Sequence, residues 1–142
     1  MQVVSELLKN RGGTLFNLAP QDSVFSALQQ LADHDVGAMV VLQDSKLVGV
    51  FSERDYTRKI ALAGRSSKDT LVADIMTADV LTVSSNTQVK DCMALMRLKK
   101  IRHLPVVEGD KVIGMISIRD IMNDIIADHE MTISQLERYI SS

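Results

Sequence analysis

Apolar and polar positions along this chain follow two rhythms, and each occurs twice. Val24, Leu28 and Leu31 stand at i, i+4 and i+7, the spacing of a helix that buries one face. Val89, Met93 and Met96 repeat that spacing further on. The polar runs PQDS (residues 20–23) and SSNT (residues 84–87) precede these helices and offer the side-chain oxygens that cap exposed helical N–H groups. After each helix come two short runs rich in β-branched residues, AMVVLQ then LVGVF in the first half and HLPVV then VIGMI in the second. These runs predict buried strands, joined as hairpins by the turn-prone links QDSK and EGDK. The stretches ERDYTRKIALA and IRDIMNDIIA then continue as a second helix in each half.

The repetition has a fixed period. Gly114 and Gly49, Ser117 and Ser52, Arg119 and Arg54, and Asp120 and Asp55 each differ by 65, and the register extends back to Val89 and Val24. A unit of about 50 residues ordered helix, strand, strand, helix is therefore present twice. Because a two-stranded sheet is marginal alone, the units are expected to pack through their sheets around a shared core, giving an α+β fold with pseudo-two-fold symmetry. The boundaries read as residues 1–66 for the first repeat with an N-terminal helix (VVSELL), 67–130 for the second, and 131–142 for a C-terminal helical extension. The polar stretch GRSSKDT (residues 64–70) reads as the linker.

Composition narrows the function. At 142 residues, with 46% apolar and 24% charged, the chain has a globular composition, and its formal net charge of −2 supplies no field that would gather nucleic acid. A basic cluster at Arg97, Lys99, Lys100, Arg102 and His103 leaves nucleic-acid binding as the weakest option. The single cysteine, Cys92, cannot form an internal disulfide, and no apolar run approaches the length of a membrane span, so a reducing cytoplasmic setting away from the membrane is expected. Cys92 has no activating base nearby in sequence and reads as a packing thiol. His34, His103 and His129 show no paired metal-ligand spacing, and no P-loop or Rossmann fingerprint occurs, so no metal and no catalytic cofactor are expected.

The S-x-R-D corner, Ser52 to Asp55 and Ser117 to Asp120, has two readings. Ser-x-x-Asp fits a capping box, in which serine caps the helix and the acid reaches back to the cap N–H. It also fits a nucleotide site. The arginine can grip a phosphate through two parallel hydrogen bonds, and the carboxylate can accept from the two ribose hydroxyls. Capping alone does not call for Arg54 and Arg119 between the two residues, and the two roles are compatible.

Taken together, VADIMTADVLTV as a leading segment, KKIRHLPVVEGDKVIGMIS as a hairpin, and the S-x-R-D corner in both halves resemble a tandem pair of cystathionine-β-synthase (CBS) domains, the arrangement called a Bateman module. The resemblance spans roughly residues 3–126. It implies a regulatory module, without catalysis of its own, whose clefts between repeats hold AMP, ADP, ATP, NAD or S-adenosylmethionine. It places Asp55 and Asp120 on ribose, with Ser52 and Ser117 beside ribose or phosphate. It adds Arg102 and His103, their counterparts Gly37 and Ala38, and Thr77 to the candidate ligand contacts. Because Gly37 and Ala38 stand opposite Arg102 and His103, the clefts should be chemically unequal. The resemblance also implies a homodimer and an effector protein that reads the ligand state. A ligand-free interaction scaffold, with the corners serving only as caps, is the alternative.

Overall fold

The computed structural model describes residues 2–11 and 15–141. Helix α1 (Val4–Arg11) is followed by a two-residue strand β1 (Asn17–Leu18), helix α2 (Val24–His34), and the hairpin β2 (Ala38–Gln43) and β3 (Lys46–Ser52). Helix α3 (Glu53–Tyr56) runs directly into a π-helical turn (Thr57–Ala61). The second half repeats the plan with α4 (Val72–Ile75), β4 (Val83–Ser84), α5 (Val89–Lys99), β5 (His103–Glu108), β6 (Lys111–Ser117) and α6 (Ile118–Ser141).

Local chemistry explains most boundaries. Ser23 caps α2 by accepting from the Ser26 N–H, and Val24, Ala27 and Leu31 form its buried stripe. α5 buries Val89, Cys92 and Met96, but its N-cap, Gln88, makes no side-chain bond. Both helices end on a left-handed residue, Asp35 at φ 53° and Lys100 at φ 57°, again 65 positions apart. The β2–β3 turn places Asp44 and Ser45 at φ 52° and 66°. That geometry suits the right-handed twist of the hairpin, although neither residue is glycine.

Among the described residues there are two three-stranded sheets, ordered β1-β2-β3 and β4-β5-β6. β1 and β4 pair in parallel with β2 and β5, adding a third strand to each expected hairpin. Both hairpins carry an irregularity at the same repeat position, between Val41 and Leu42 and between Val106 and Val107. β3 and β6 lie against each other where the halves meet.

The helices in front of each half are exchanged. Val4 and Leu7 of α1 sit in the core of the second half, with Val83, Cys92, Leu104 and Ile116. Val72 and Ile75 of α4 sit in the core of the first half, with Leu18, Leu31, Phe51 and Ile60. The backbone makes the same exchange: Val4 N–H donates to the Thr87 carbonyl, and Val24 N–H donates to that of Thr70. Each fully buried aliphatic side chain stabilises by roughly 1.5–3 kcal/mol, so neither half is complete without its borrowed helix. The N-terminal helix, expected to belong with the first repeat, thus packs on the second. The segment expected as a linker is tied down, with Thr70 buried and its hydroxyl on the Ser66 carbonyl.

This crossing accounts for the repeated glycine. A Cβ built at Gly49 would lie 2.6 Å from the Met76 sulfur and 3.0 Å from the Thr77 carbonyl oxygen; one at Gly114 would lie 2.9 Å from Leu8 Cδ2. Each borrowed segment crosses its sheet at a point where a side chain on the strand has no room.

α6 departs from expectation in another way. The second helix of the second half and the C-terminal extension form one 24-residue helix with no break at residue 131. No helix among the described residues is long and apolar enough to cross a membrane.

Candidate functional site: the two S-x-R-D corners

Each corner is the point where the last strand of a sheet turns into a helix. At the first, Ser52 has extended backbone (φ −131°, ψ 162°), and its Oγ accepts from the Asp55 N–H at 3.1 Å. Asp55 Oδ2 answers by accepting from the Ser52 N–H and from the Ser52 hydroxyl, both at 3.0 Å. The capping box is complete. At the second corner Asp120 Oδ2 accepts from the Ser117 N–H at 2.8 Å, and Ser117 Oγ accepts from the Asp120 N–H at 3.1 Å. The first helical N–H of each corner donates to the residue entering the preceding strand: Glu53 to the Gly37 carbonyl at 3.0 Å, Ile118 to the Arg102 carbonyl at 2.9 Å.

The outer oxygen of Asp55 reaches across the chain. Oδ1 accepts from the Thr77 hydroxyl at 3.1 Å and lies 3.1 Å from Lys59 Nζ, which also donates to the Ile75 carbonyl at 2.8 Å. Thr77 follows the borrowed helix α4 and is bonded through both backbone groups to Val50. A carboxylate has about four lone-pair sites. With four donors at 3.0–3.1 Å, those of Asp55 are all engaged. Asp55 is buried at 8% exposure, so these bonds act where water competes little.

Lys59 was not among the residues singled out in the sequence. Its signal is the i, i+4 spacing from Asp55, which places the two on one helical face. The equivalent position in the second half is 59 + 65 = 124, an aspartate. Asp124 accepts from the side-chain amide of Gln2. The place of an ammonium in the first corner is therefore taken by a carboxylate in the second. The position equivalent to Thr77 is 77 − 65 = 12, a glycine with no hydroxyl, which lies outside the described residues.

The other candidates divide. Ser52, Asp55 and Thr77 converge on one another. The His103 ring lies against Gly37, 3.5 Å from where a Cβ would stand, so these two meet across the halves. Ala38 is 2% exposed, and its methyl belongs to the core. Arg54 is turned away from its own carboxylate: its Nη1 donates to the Lys100 carbonyl at 2.9 Å, closing the C-terminal end of α5 in the other half. That bond gives the arginine of the corner a structural task separate from any phosphate. Arg102 and Arg119 are exposed.

Cys92 is buried, and its thiol is pushed above the ordinary value, first by loss of water and then by the charge of Asp91. A thiolate is disfavoured there. Among the described residues no three His, Cys, Asp or Glu side chains gather as a metal site.

Known proteins match this architecture closely. The family described as "CBS domain" matches residues 14–62 and again 72–127. A mitochondrial CBS domain-containing protein of Arabidopsis thaliana, CBSX3, is 38% identical over 96% of this chain and 71% of its own length. The crystal structure of the CBS domain NE2398 superposes with a TM-score of 0.85 at 45% identity, covering 88% of this chain and 98% of that one. A putative signal-transduction protein with CBS domains from Burkholderia ambifaria gives 0.86 at 41% identity, over 89% and 96%. Two matched repeats, two sheets and two capped corners at one offset lead to a single assignment: the chain belongs to the CBS-domain family, as a tandem pair.

Proposed function

We propose that this CBS pair is a non-catalytic regulatory module that binds an adenosine-containing ligand, with AMP the first candidate and ADP, ATP, NAD and S-adenosylmethionine the others. The observation that carries the reading is the position of Asp55. Its buried carboxylate lies where the first half meets a segment crossing over to the second, and its outer oxygen is held by a hydroxyl and an ammonium. Two ribose hydroxyls are donors of the same kind and can replace Thr77 and Lys59 on Oδ1 while the capping box on Oδ2 stays intact. Ser117 and Asp120 offer the same box in the other half, with the Arg102 and Arg119 guanidinium groups nearby for phosphate and the His103 ring as a further polar contact. A ligand that exchanged with Thr77 would alter the hold on the borrowed segment, and so the way the two halves sit together. It shifts that equilibrium only by its difference in affinity between the two arrangements. The output passes to an effector protein or through oligomerisation. The solved CBS pair of the protein MJ0100, which shares the fold at 21% identity and a TM-score of 0.78, is in complex with 5′-methylthioadenosine and S-adenosyl-L-methionine, and that supports a nucleoside in such a cleft.

A ligand-free scaffold is the second reading. It is favoured by the completeness of the capping box at Ser52 and by the engagement of Arg54 on the Lys100 carbonyl, neither of which needs a ligand. Thermal unfolding with and without millimolar AMP, ATP, NAD and S-adenosylmethionine separates the two. A ligand at about 100 times its dissociation constant stabilises by roughly 2.7 kcal/mol, a shift of several degrees for a chain of this size. The binding reading predicts such a shift for wild type and its loss in Asp55→Ala or Asp120→Ala. No shift with any ligand would leave the scaffold.

A further inference from the structure

Lys59 is carried by a backbone irregularity that the second half does not repeat. It lies in the π-helical turn Thr57–Ala61, where the Leu62 N–H donates to the Thr57 carbonyl and the Arg65 N–H to the Ile60 carbonyl, both at 3.0 Å. Such turns are rare and are found mostly at functional positions. The equivalent stretch of the second half, residues 122–126, is ordinary α-helix within α6. Ile60 is buried in the core of the first half and fixes the turn in place. Its neighbour Lys59 then spans two acceptors, Asp55 Oδ1 at 3.1 Å and the Ile75 carbonyl at 2.8 Å. The carbonyl belongs to the borrowed helix α4, so the ammonium is kept beside the carboxylate by the segment that crosses over it.

The two groups on Oδ1 differ in what they can do when a ligand arrives. The Thr77 hydroxyl donates now, but a hydroxyl also accepts, so it can turn toward a ligand hydroxyl and remain in place. An ammonium has three donors and no acceptor, so a diol cannot take that oxygen while Lys59 holds it. At the equivalent position of the second half stands Asp124, which accepts from the Gln2 side chain and has no proton to offer Asp120.

We propose that Lys59 is a resident competitor for the ligand at the first corner: it occupies the oxygen of Asp55 that a vicinal diol must take, and it raises the ligand concentration at which that corner alone fills. The inference rests on the nucleoside reading of the corner. Because the competitor is part of the chain, it divides the apparent affinity by a constant factor at every ligand concentration. Lys59 is 43% exposed, and a pair of that kind corresponds to about threefold to fivefold in an equilibrium constant.

The test titrates the whole chain with adenosine, which brings the diol without a phosphate for Lys59 to attract. Nitrogen-15 NMR reads the corners separately, through the Asp55 N–H on Ser52 Oγ and the Asp120 N–H on Ser117 Oγ. In Lys59→Met the Asp55 curve is expected to move to about threefold to fivefold lower adenosine, while the Asp120 curve stays. Lys59→Arg keeps a donor-only cation and is expected to follow wild type. A residue that only braced the fold would not tighten binding when removed. An Asp55 curve that responds to adenosine but does not move in Lys59→Met, two curves that move together, or a Lys59→Arg curve that moves as far as Lys59→Met would each overturn the proposal alone. Amides at both corners that ignore adenosine in all three proteins would overturn the nucleoside reading, and this inference with it.

Discussion

Replacing Asp55 with alanine tests what the corner does when no ligand is present. The carboxylate takes the Ser52 N–H and hydroxyl on Oδ2 and the Thr77 hydroxyl and Lys59 ammonium on Oδ1. Losing the reciprocal half of a cap costs about 1 kcal/mol, and a half-buried N–H left without an acceptor adds about 1–2 kcal/mol. The Lys59 pair adds little, at most about 1 kcal/mol, because the lysine is 43% exposed and recovers water. Thr77 is exposed and recovers water as well. The sum is about 2–4 kcal/mol, or some 6–14 °C in Tm for a domain of this length. Urea denaturation of wild type and Asp55→Ala, both free of ligand, gives the number directly. A difference below about 0.5 kcal/mol would refute the reasoning, since it would mean that the bonds to Asp55 contribute nothing net to the fold.

Three further outcomes follow from the same geometry. Gly49→Ala should cost more than Gly114→Ala, about 2–3 against about 1 kcal/mol, because the new methyl meets a backbone carbonyl at Gly49 and the end of a flexible leucine at Gly114; denaturation midpoints of the two variants decide it. Arg54→Gln should lower stability by about 1 kcal/mol through the lost Lys100 bond, and should weaken AMP binding about tenfold more than adenosine binding if the guanidinium also serves phosphate; paired calorimetric titrations check this. The raised thiol of Cys92 contributes stability that is fully present below its unfolded value of 9.0 and is lost as pH rises through the higher folded value, so unfolding free energy should fall more steeply above pH 9 in wild type than in Cys92→Ala.

The sequence was most legible where one residue's chemistry determines one local geometry. The strands of residues 38–43 and 103–108 stand out because β-branched residues dominate short runs, and the offset of 65 exposes matching corners. Ser52 and Asp55 announced their capping box because both partners lie within four residues. What escaped were long-range choices. Val4 and Leu7 are apolar in any reading, and nothing local says that they pack on the second half while Val72 and Ile75 pack on the first. β1 and β4, at two residues each, are too short to show a period. The structural partner of Arg54 was equally out of sight, because its acceptor, the Lys100 carbonyl, is 46 residues away and is backbone. Lys59 was within reach of the i, i+4 rule, which would also have shown Asp124 in its place in the second half. The C-terminal extension, read as beginning at residue 131, proves continuous with the second helix of the second half, because no glycine, proline or capping pattern at that point marks where one would end.

The central claim is that a buried carboxylate in this CBS pair reads the two ribose hydroxyls of an adenosine ligand. It is tested most directly by titrating wild type with AMP and with 2′,3′-dideoxy-AMP in the calorimeter. A hydrogen bond to a charged acceptor is worth about 1.5–3 kcal/mol, so loss of the diol should weaken binding by at least about tenfold. Equal affinity for the two nucleotides would contradict the account.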